Sequence, residues 1–217
     1  MVERKVFLNL GCGTTHLPSA PPPGHEIVDP TLYEQPFWVN VDKVKGVGAD
    51  ITFDLFAYPW PLKSHSYDGA LLAHIIEHIP HEPRLSDQAT GSDMERWDYL
   101  SNLQDGWFAF FSELWRVLKP GAVAHIVCPH AHSDGAYADP THTRYIMPHT
   151  FTHSLETPDG STFRYETGCS FKLIEPIVYR PTPMAAPYLD DPTAWQHALM
   201  TRLNMVYDMY ARLQAVK

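Results

Sequence analysis

The sequence predicts an α/β fold in which a mainly parallel sheet carries helices on both faces. Three observations lead to this. Apolar runs at residues 6–10, 67–73 and 122–128 are short enough for strands and apolar enough for burial on both sides. The first run breaks directly into Gly11-Cys12-Gly13, a turn that lets the backbone bend sharply and lets a ligand approach without a Cβ in its way. Between the second and third runs, Trp107, Phe110, Phe111, Leu114 and Leu118 recur at helical spacing, which marks one apolar helix face. Strands that alternate with helices pair in parallel, because a crossover returns the chain to the same end of the sheet.

The elements follow in order. After the glycine turn, residues 16–36 scatter proline and glycine without a 3.6-residue period, so a long loop replaces the expected helix. Residues 38–42, WVNVD, alternate apolar and polar and end in a carboxylate, as a second strand would; residues 50–55 suggest a third, short one. Residues 58–62 form a proline-stiffened turn. The strand at 67–73 runs into HIIEHIP, read as the opening turns of a helix that Pro80 stops. A polar connection at 81–93 leads to a helix over 94–118, closed by Lys119-Pro120-Gly121, and then to the strand at 122–128. Residues 129–170 are irregular and rich in His, Thr, Pro and Asp. A strand at 171–180, bent at Pro176, a helix at 195–205 and a last strand at 208–216 complete the chain.

Composition narrows the function. A chain of 217 residues with 44% hydrophobic content suits a single domain over 1–217 that buries ~70% of its unfolded surface. No run approaches the ~20 apolar residues of a membrane span, and the first residues do not read as a signal peptide. A formal charge of −9 argues against a nucleic-acid partner held through phosphates. Cys12, Cys128 and Cys169 cannot all pair with one another and show no C-x-x-C spacing, so free thiols and a cytoplasmic location are expected.

Four features stand in one order: LNLGCG; VNVD ending in Asp42; DITFDL with Asp54 before YPWPL; and YDGALLAHIIEHI followed by ELWRVLKPGA and a strand. Over roughly residues 5–150, this ordered set resembles the class I S-adenosylmethionine (SAM)-dependent methyltransferases. The likeness is to the small branch with an S-H-x-L-E-H-like segment after the fourth strand. The resemblance implies a Rossmann-like three-layer sandwich, with a mostly parallel seven-stranded sheet and an antiparallel last strand. It also implies SAM as cofactor, S-adenosylhomocysteine as product, and a cofactor site drawn from Asn9, Gly11, Cys12, Gly13, Asp42, Lys43, Asp54, Leu55 and His74. Asp42 would accept the ribose hydroxyls, Asp54 the adenine amino group, and His74 would face the cofactor from the strand end. Asn9 stands where the family usually has Asp or Glu, and Thr15 where a third glycine is common.

The chain holds 13 histidines, seven of which fall in two groups. His74-Ile-Ile-Glu77-His78 also fits the H-x-x-E-H zinc signature, which needs two histidines one turn apart on a continuous helix. Here the segment follows a buried strand directly and meets Pro80, so no metal is expected. In the second group, DPTHTRY resembles a D-P-x-H-x-R segment found after the fifth strand in the same branch. A loop there, within residues 131–170, would wall the acceptor side. His142 would serve as general base with Asp139 orienting it, His74 would be a further catalytic residue, and His130 and Arg144 would bind substrate. The expectation is methyl transfer to an oxygen or nitrogen of a small or sugar-like acceptor. The absence of an N-P-P-Y-type tetrapeptide argues against a DNA amino-methylating enzyme. A histidine-dependent metallohydrolase and a non-catalytic SAM-binding protein are the alternatives.

Overall fold

The computed structural model describes residues 4–18, 25–35, 37–156 and 162–217, the side chains of 162–164 excepted. The strands are β1 (Phe7–Leu10), β2 (Trp38–Asp42), β3 (Ile51–Thr52), β4 (Ala57–Tyr58), β5 (Tyr67–Ala73), β6 (Arg84–Leu85), β7 (Leu118–Pro129), β8 (Ser170–Leu173), β9 (Val178–Pro181) and β10 (Val206–Val216). The helices are α1 (Met94–Ser101), α2 (Gly106–Val117), α3 (Gly135–Ala138), α4 (Pro148–Ser154), α5 (Thr162–Thr167) and α6 (Pro192–Thr201). The main sheet has eight strands in the order β3-β2-β1-β5-β7-β10-β8, with β9 also paired to β10. From β3 to β7 every pair is parallel, while β10 runs antiparallel to β7, β8 and β9.

The two faces of this sheet are packed differently. Side chains alternate along each strand, so Leu8 and Leu10, Ala70 and Leu72, Ala124 and Ile126, and Met209, Ala211 and Leu213 share one face. They bury against Trp107, Phe110, Phe111 and Leu114 of α2, the stripe expected from their spacing. The alternate positions Phe7, Leu71, Val127 and Tyr210 point the other way. Leu17, Val28, Leu32 and Tyr33 of the loop before β2 cover them, together with Trp38. That loop therefore does a helix's work, inserting apolar anchors between prolines; its residues 19–24 and 36 lie outside the described part.

Several elements differ from the sequence reading, each for a local reason. The 94–118 helix is two: α1 ends at Ser101, Gln104 takes a left-handed φ of 58°, and Asp105 caps α2 by accepting from the Trp107 amide at 2.7 Å. The Asp-Gly pair at 105–106 carried that signal. Strand β7 starts at Leu118, so Lys119-Pro120-Gly121 lies within the strand instead of stopping a helix ahead of it. The run at 171–180 makes two strands, β8 and β9, which accounts for eight strands in place of seven. The third strand keeps only Ile51–Thr52, and the proline turn and polar connection supply the two-stranded sheet β4–β6. HIIEHIP forms a single 3-10 turn, Ile76–His78, because His74 is left-handed (φ 56°) and Ile79 is already extended before Pro80.

A buried carboxylate ties the helical layer to the chain between β4 and β5. Glu113 of α2 is fully buried; its Oε1 accepts from Arg96 Nε at 2.9 Å and Arg116 Nε at 2.8 Å. Its Oε2 accepts from the Trp60 amide at 2.7 Å and from a second Arg116 nitrogen at 2.8 Å. Burial opposes ionisation here, yet the two guanidinium groups outweigh it and hold the carboxyl below its ordinary 4.5. Replacing Glu113 with Ala is expected to cost ~3 kcal/mol in urea unfolding, since it strands two partly covered guanidinium groups. A folded-state pKa lowered below 4.5 means that this stabilisation is complete above pH 4.5 and fades as pH falls through the folded value. The stability gap between wild type and Glu113→Gln should therefore shrink in acid, and a gap that widens would contradict the assignment.

Candidate functional site

The carboxyl ends of β1, β2 and β5 meet at Gly11, where the sheet's parallel half opens a crevice. The Gly11 and Cys12 amides both donate to the Val41 carbonyl, at 2.8 and 2.9 Å, which folds the loop over the end of β2. Gly11 has φ 71°, a conformation that favours glycine, and a Cβ there would lie 2.0 Å from Ile75 Cδ1, so the Ile75 side chain would have to move. Gly13 has φ 51° with nothing within 4 Å of where its Cβ would stand. Its amide donates to Asp42 Oδ2 at 2.9 Å, and Asp42 Oδ1 accepts from the Val44 amide at 2.8 Å. Each oxygen keeps lone-pair capacity for a further donor.

Two cavities touch Gly11. One, of about 80 Å³, is lined by Gly11, Asp42, Lys43, Asp54, Leu55, Phe56 and Ile75. The other, of about 140 Å³, is lined on its polar side by Asn9, Cys12, Thr15, His25 and Tyr33. Seven of the nine residues expected at a cofactor are thus walls of this pair of cavities; Gly13 and His74 line neither. Asp54 accepts from the Phe56 amide at 2.9 Å and pairs with Arg84 at 3.1 Å. Burial and the neighbouring Asp42 push the Cys12 thiol up to about 11, which keeps it protonated and inert. Cys128 and Cys169 are likewise free and buried.

His74 ends β5 with its side chain 43% exposed and its Nδ1 3.3 Å from Glu77 Oε1. Burial opposes its protonation, but the contact and charge of Glu77, helped by Asp208, raise its pKa above 6.5. His25 and Tyr33, hydrogen-bonded at 2.7 Å, were not expected at the site, nor were Phe56 and Ile75. His25 and Tyr33 come from the proline-rich loop, where no periodicity marks a direction. Only the burial of that loop on the sheet brings them in.

The segment after β7 builds separate clefts. Arg144 lines one of about 420 Å³ with His81, Asp105, Trp107 and Tyr145; His130 lines another of about 260 Å³ with His149, Tyr179 and Met200. The first is larger than either cavity at Gly11, but it lies on α2 and α4 and not at the strand ends. Burial and the adjacent His132 push His130 down to about 4, leaving a neutral ring. Arg144 donates to the Ile79 and Pro80 carbonyls at 2.8 and 2.9 Å and to Asp105 at 2.7 Å. His142 and Asp139 line none of these four spaces, and only 8% of the His142 side chain is exposed. Residues 157–161 of the expected substrate-side loop lie outside the described part. The H-x-x-E-H zinc geometry is not met by His74 and His78, since no α-helix joins them.

The departure at Asn9 has a structural cause. Its side-chain amide donates to the Thr15 carbonyl at 2.8 Å and to Asn40 Oδ1 at 3.0 Å. Asn40 Oδ1 also accepts from the Leu17 amide at 2.8 Å, so this buried pair stitches the loop after Gly13 to β1 and β2. A carboxylate cannot donate either bond.

By fold, the chain resembles a SAM-dependent methyltransferase from Archaeoglobus fulgidus, with a TM-score of 0.54 and 15% identity over 97% of this chain and 86% of that one. It also resembles a chain in the Haloferax volcanii complex of the Trm112 methyltransferase activator with a methyltransferase. There the TM-score is 0.51 at 11% identity, over 99% of this chain and 84% of that one. No family model matches the sequence, and no curated protein does. The fold is that of the SAM-dependent methyltransferases, with a mixed sheet that ends in antiparallel strands. Asn9→Asp is expected to lower stability by ~1–3 kcal/mol, the scale for unsatisfied buried polar groups, measured by thermal or urea unfolding. Unchanged stability would remove the donor role.

Proposed function

We propose that this chain is a SAM-dependent methyltransferase acting on an oxygen or nitrogen of a small or sugar-like acceptor. The observation that carries the reading is the pair of cavities sharing Gly11, with Asp42 on one and Asn9 on the other, at the carboxyl ends of parallel strands. Asp42 would take the ribose hydroxyls on its remaining lone pairs, and Asp54, Leu55, Lys43 and Phe56 would border the adenine. The glycine turn and Cys12 would lie along the methionine portion. His74, at the end of β5, would face the cofactor from outside these cavities.

The cofactor's sulfonium supplies an activated methyl group. The chain's own task would be to align acceptor and cofactor and to exclude water around them. The segment at 130–154 would form the acceptor side, through Arg144 or His130. The buried His142 and its neighbour Asp139 fit the holding of that segment better than direct contact with an acceptor. No helix among the described residues is long and apolar enough to cross a membrane.

Calorimetric titration tests the reading without an acceptor. SAM and S-adenosylhomocysteine should bind the wild-type chain, and Asp42→Ala should weaken both by ~10-fold or more, the ~1.5–3 kcal/mol of hydrogen bonds to a charged group. Absence of binding to the wild type would remove the proposal. Unchanged affinity in Asp42→Ala would remove only that residue from the site.

A further inference from the structure

We infer that Glu77, His78 and His142 form a binding site for a divalent first-row transition cation of the zinc class. One donor atom from each residue lies within 4.8 Å of the others. The two imidazole rings meet edge to face with centroids 4.7 Å apart. Glu77 is 1% exposed, and neither carboxylate oxygen has a hydrogen-bond partner among the described residues. His74 Nδ1 stands 3.3 Å from Oε1 as an ion pair at the edge of the group.

The ring nitrogens can be assigned from their partners. His142 Nδ1 stands 3.0 Å from the Ala136 carbonyl, which only accepts, so Nδ1 carries the hydrogen. His78 Nδ1 lies 3.1 Å from Thr141 Oγ1 and 3.3 Å from the Thr141 carbonyl. The Thr141 hydroxyl already donates to Asp139 Oδ1 at 2.6 Å, so toward His78 it accepts. Both histidines therefore keep their lone pair on Nε2. Two imidazoles with free Nε2 lone pairs thus stand beside a buried carboxylate whose charged neighbour is His74, at 3.3 Å, and a cation held among the three would compensate the buried charge directly.

The arrangement is also the usual dress of a metal site, in which each ligating ring donates its other N–H to an oxygen acceptor. Two histidines and a glutamate form a known zinc ligand set that leaves a position open. Bonds of ~2.0–2.1 Å place zinc ligands ~3.4 Å apart, so side-chain shifts of about 1 Å close the group on an ion. Asp139 Oδ2, 4.0 Å from His142 Nε2, is within reach of a fourth place. The site differs from the H-x-x-E-H pattern: it omits His74 and takes its third ligand from the DPTHTRY loop. The Thr143 and Arg144 amides donate to the Glu77 carbonyl at 2.9 and 3.1 Å, so an ion would clamp two segments that are already stitched together. The sequence offered Glu77 and His78 within a zinc-like motif but gave no sign that His142 joins them.

The test uses the full chain stripped with a chelator and titrated with Zn²⁺ alone by calorimetry, with Co²⁺ as a spectroscopic probe. Expected are one ion bound per chain, a higher melting temperature with Zn²⁺, and visible Co²⁺ bands of an imidazole-ligated centre. Glu77→Gln and His142→Ala should each weaken binding by ~100-fold, at or beyond the loss typical of outer-shell changes, while the α4 variant His153→Ala should bind as wild type. No stoichiometric uptake by the wild type, or equal affinity in both ligand variants, overturns the site. Should Glu77→Gln fail to fold, the wild-type Co²⁺ spectrum and His142→Ala decide. Binding of SAM, measured on the same preparations, succeeds or fails independently of the ion.

Discussion

A single buried carboxylate organises the wall of the candidate site from a distance. Glu113 lies on α2, yet it grips the Trp60 amide, and the Trp60 indole donates in turn to the Leu55 carbonyl at 3.0 Å. Leu55 and its neighbours Asp54 and Phe56 border the smaller cavity beside Gly11. Arg116 closes the arrangement by donating to the Trp60 and Leu62 carbonyls, so a turn holding two prolines is fixed at several main-chain atoms. A turn at the sheet's end would otherwise be among the least stable parts of the fold. Charge buried and fully hydrogen-bonded makes it rigid.

The sheet's unequal faces serve the same end. On the helical face, Phe110 and Phe111 pack on Trp60 and on each other within the larger apolar cluster. On the other, the loop before β2 packs fewer anchors and is joined to the strands by amide bonds from Asn9 and Asn40. A loop needs such bonds because its own backbone lacks the internal ladder of a helix. The exchange also brings His25 and Tyr33 to the rim of the larger cavity at Gly11. Fold and site are thus joined through polar contacts that a helix at this position would not have made.

The two histidine motifs have one structural explanation. The 3-10 turn after β5 offers the Glu77, Ile79 and Pro80 carbonyls, and the loop after β7 meets them with the Thr143 and Arg144 amides, the Thr143 hydroxyl and the Arg144 guanidinium. Arg144 then reaches Asp105, the cap of α2. Segments more than 60 residues apart in the chain therefore form one block. Within that block the buried His142 ring packs edge to face on His78.

Much of the fold was legible in the sequence. Period-two alternation and apolar runs marked β1, β2, β5, β7 and β10, because a strand buried between two layers tolerates few polar residues. The spacing in α2 marked its buried face. Gly11, Asp42 and Asp54, singled out in the sequence for their residue types at strand ends, border one cavity in the structure. The split of the 94–118 helix hung on one Asp-Gly pair, and the single turn after β5 on a left-handed His74; both are local events that periodicity averages away. Only the tertiary structure decided that Asn9 is a donor, that Glu113 holds Trp60, and that His78 and His142 stand together. Such pairings depend on which distant segments dock, and a linear pattern carries no record of partners brought together by the packing of a sheet.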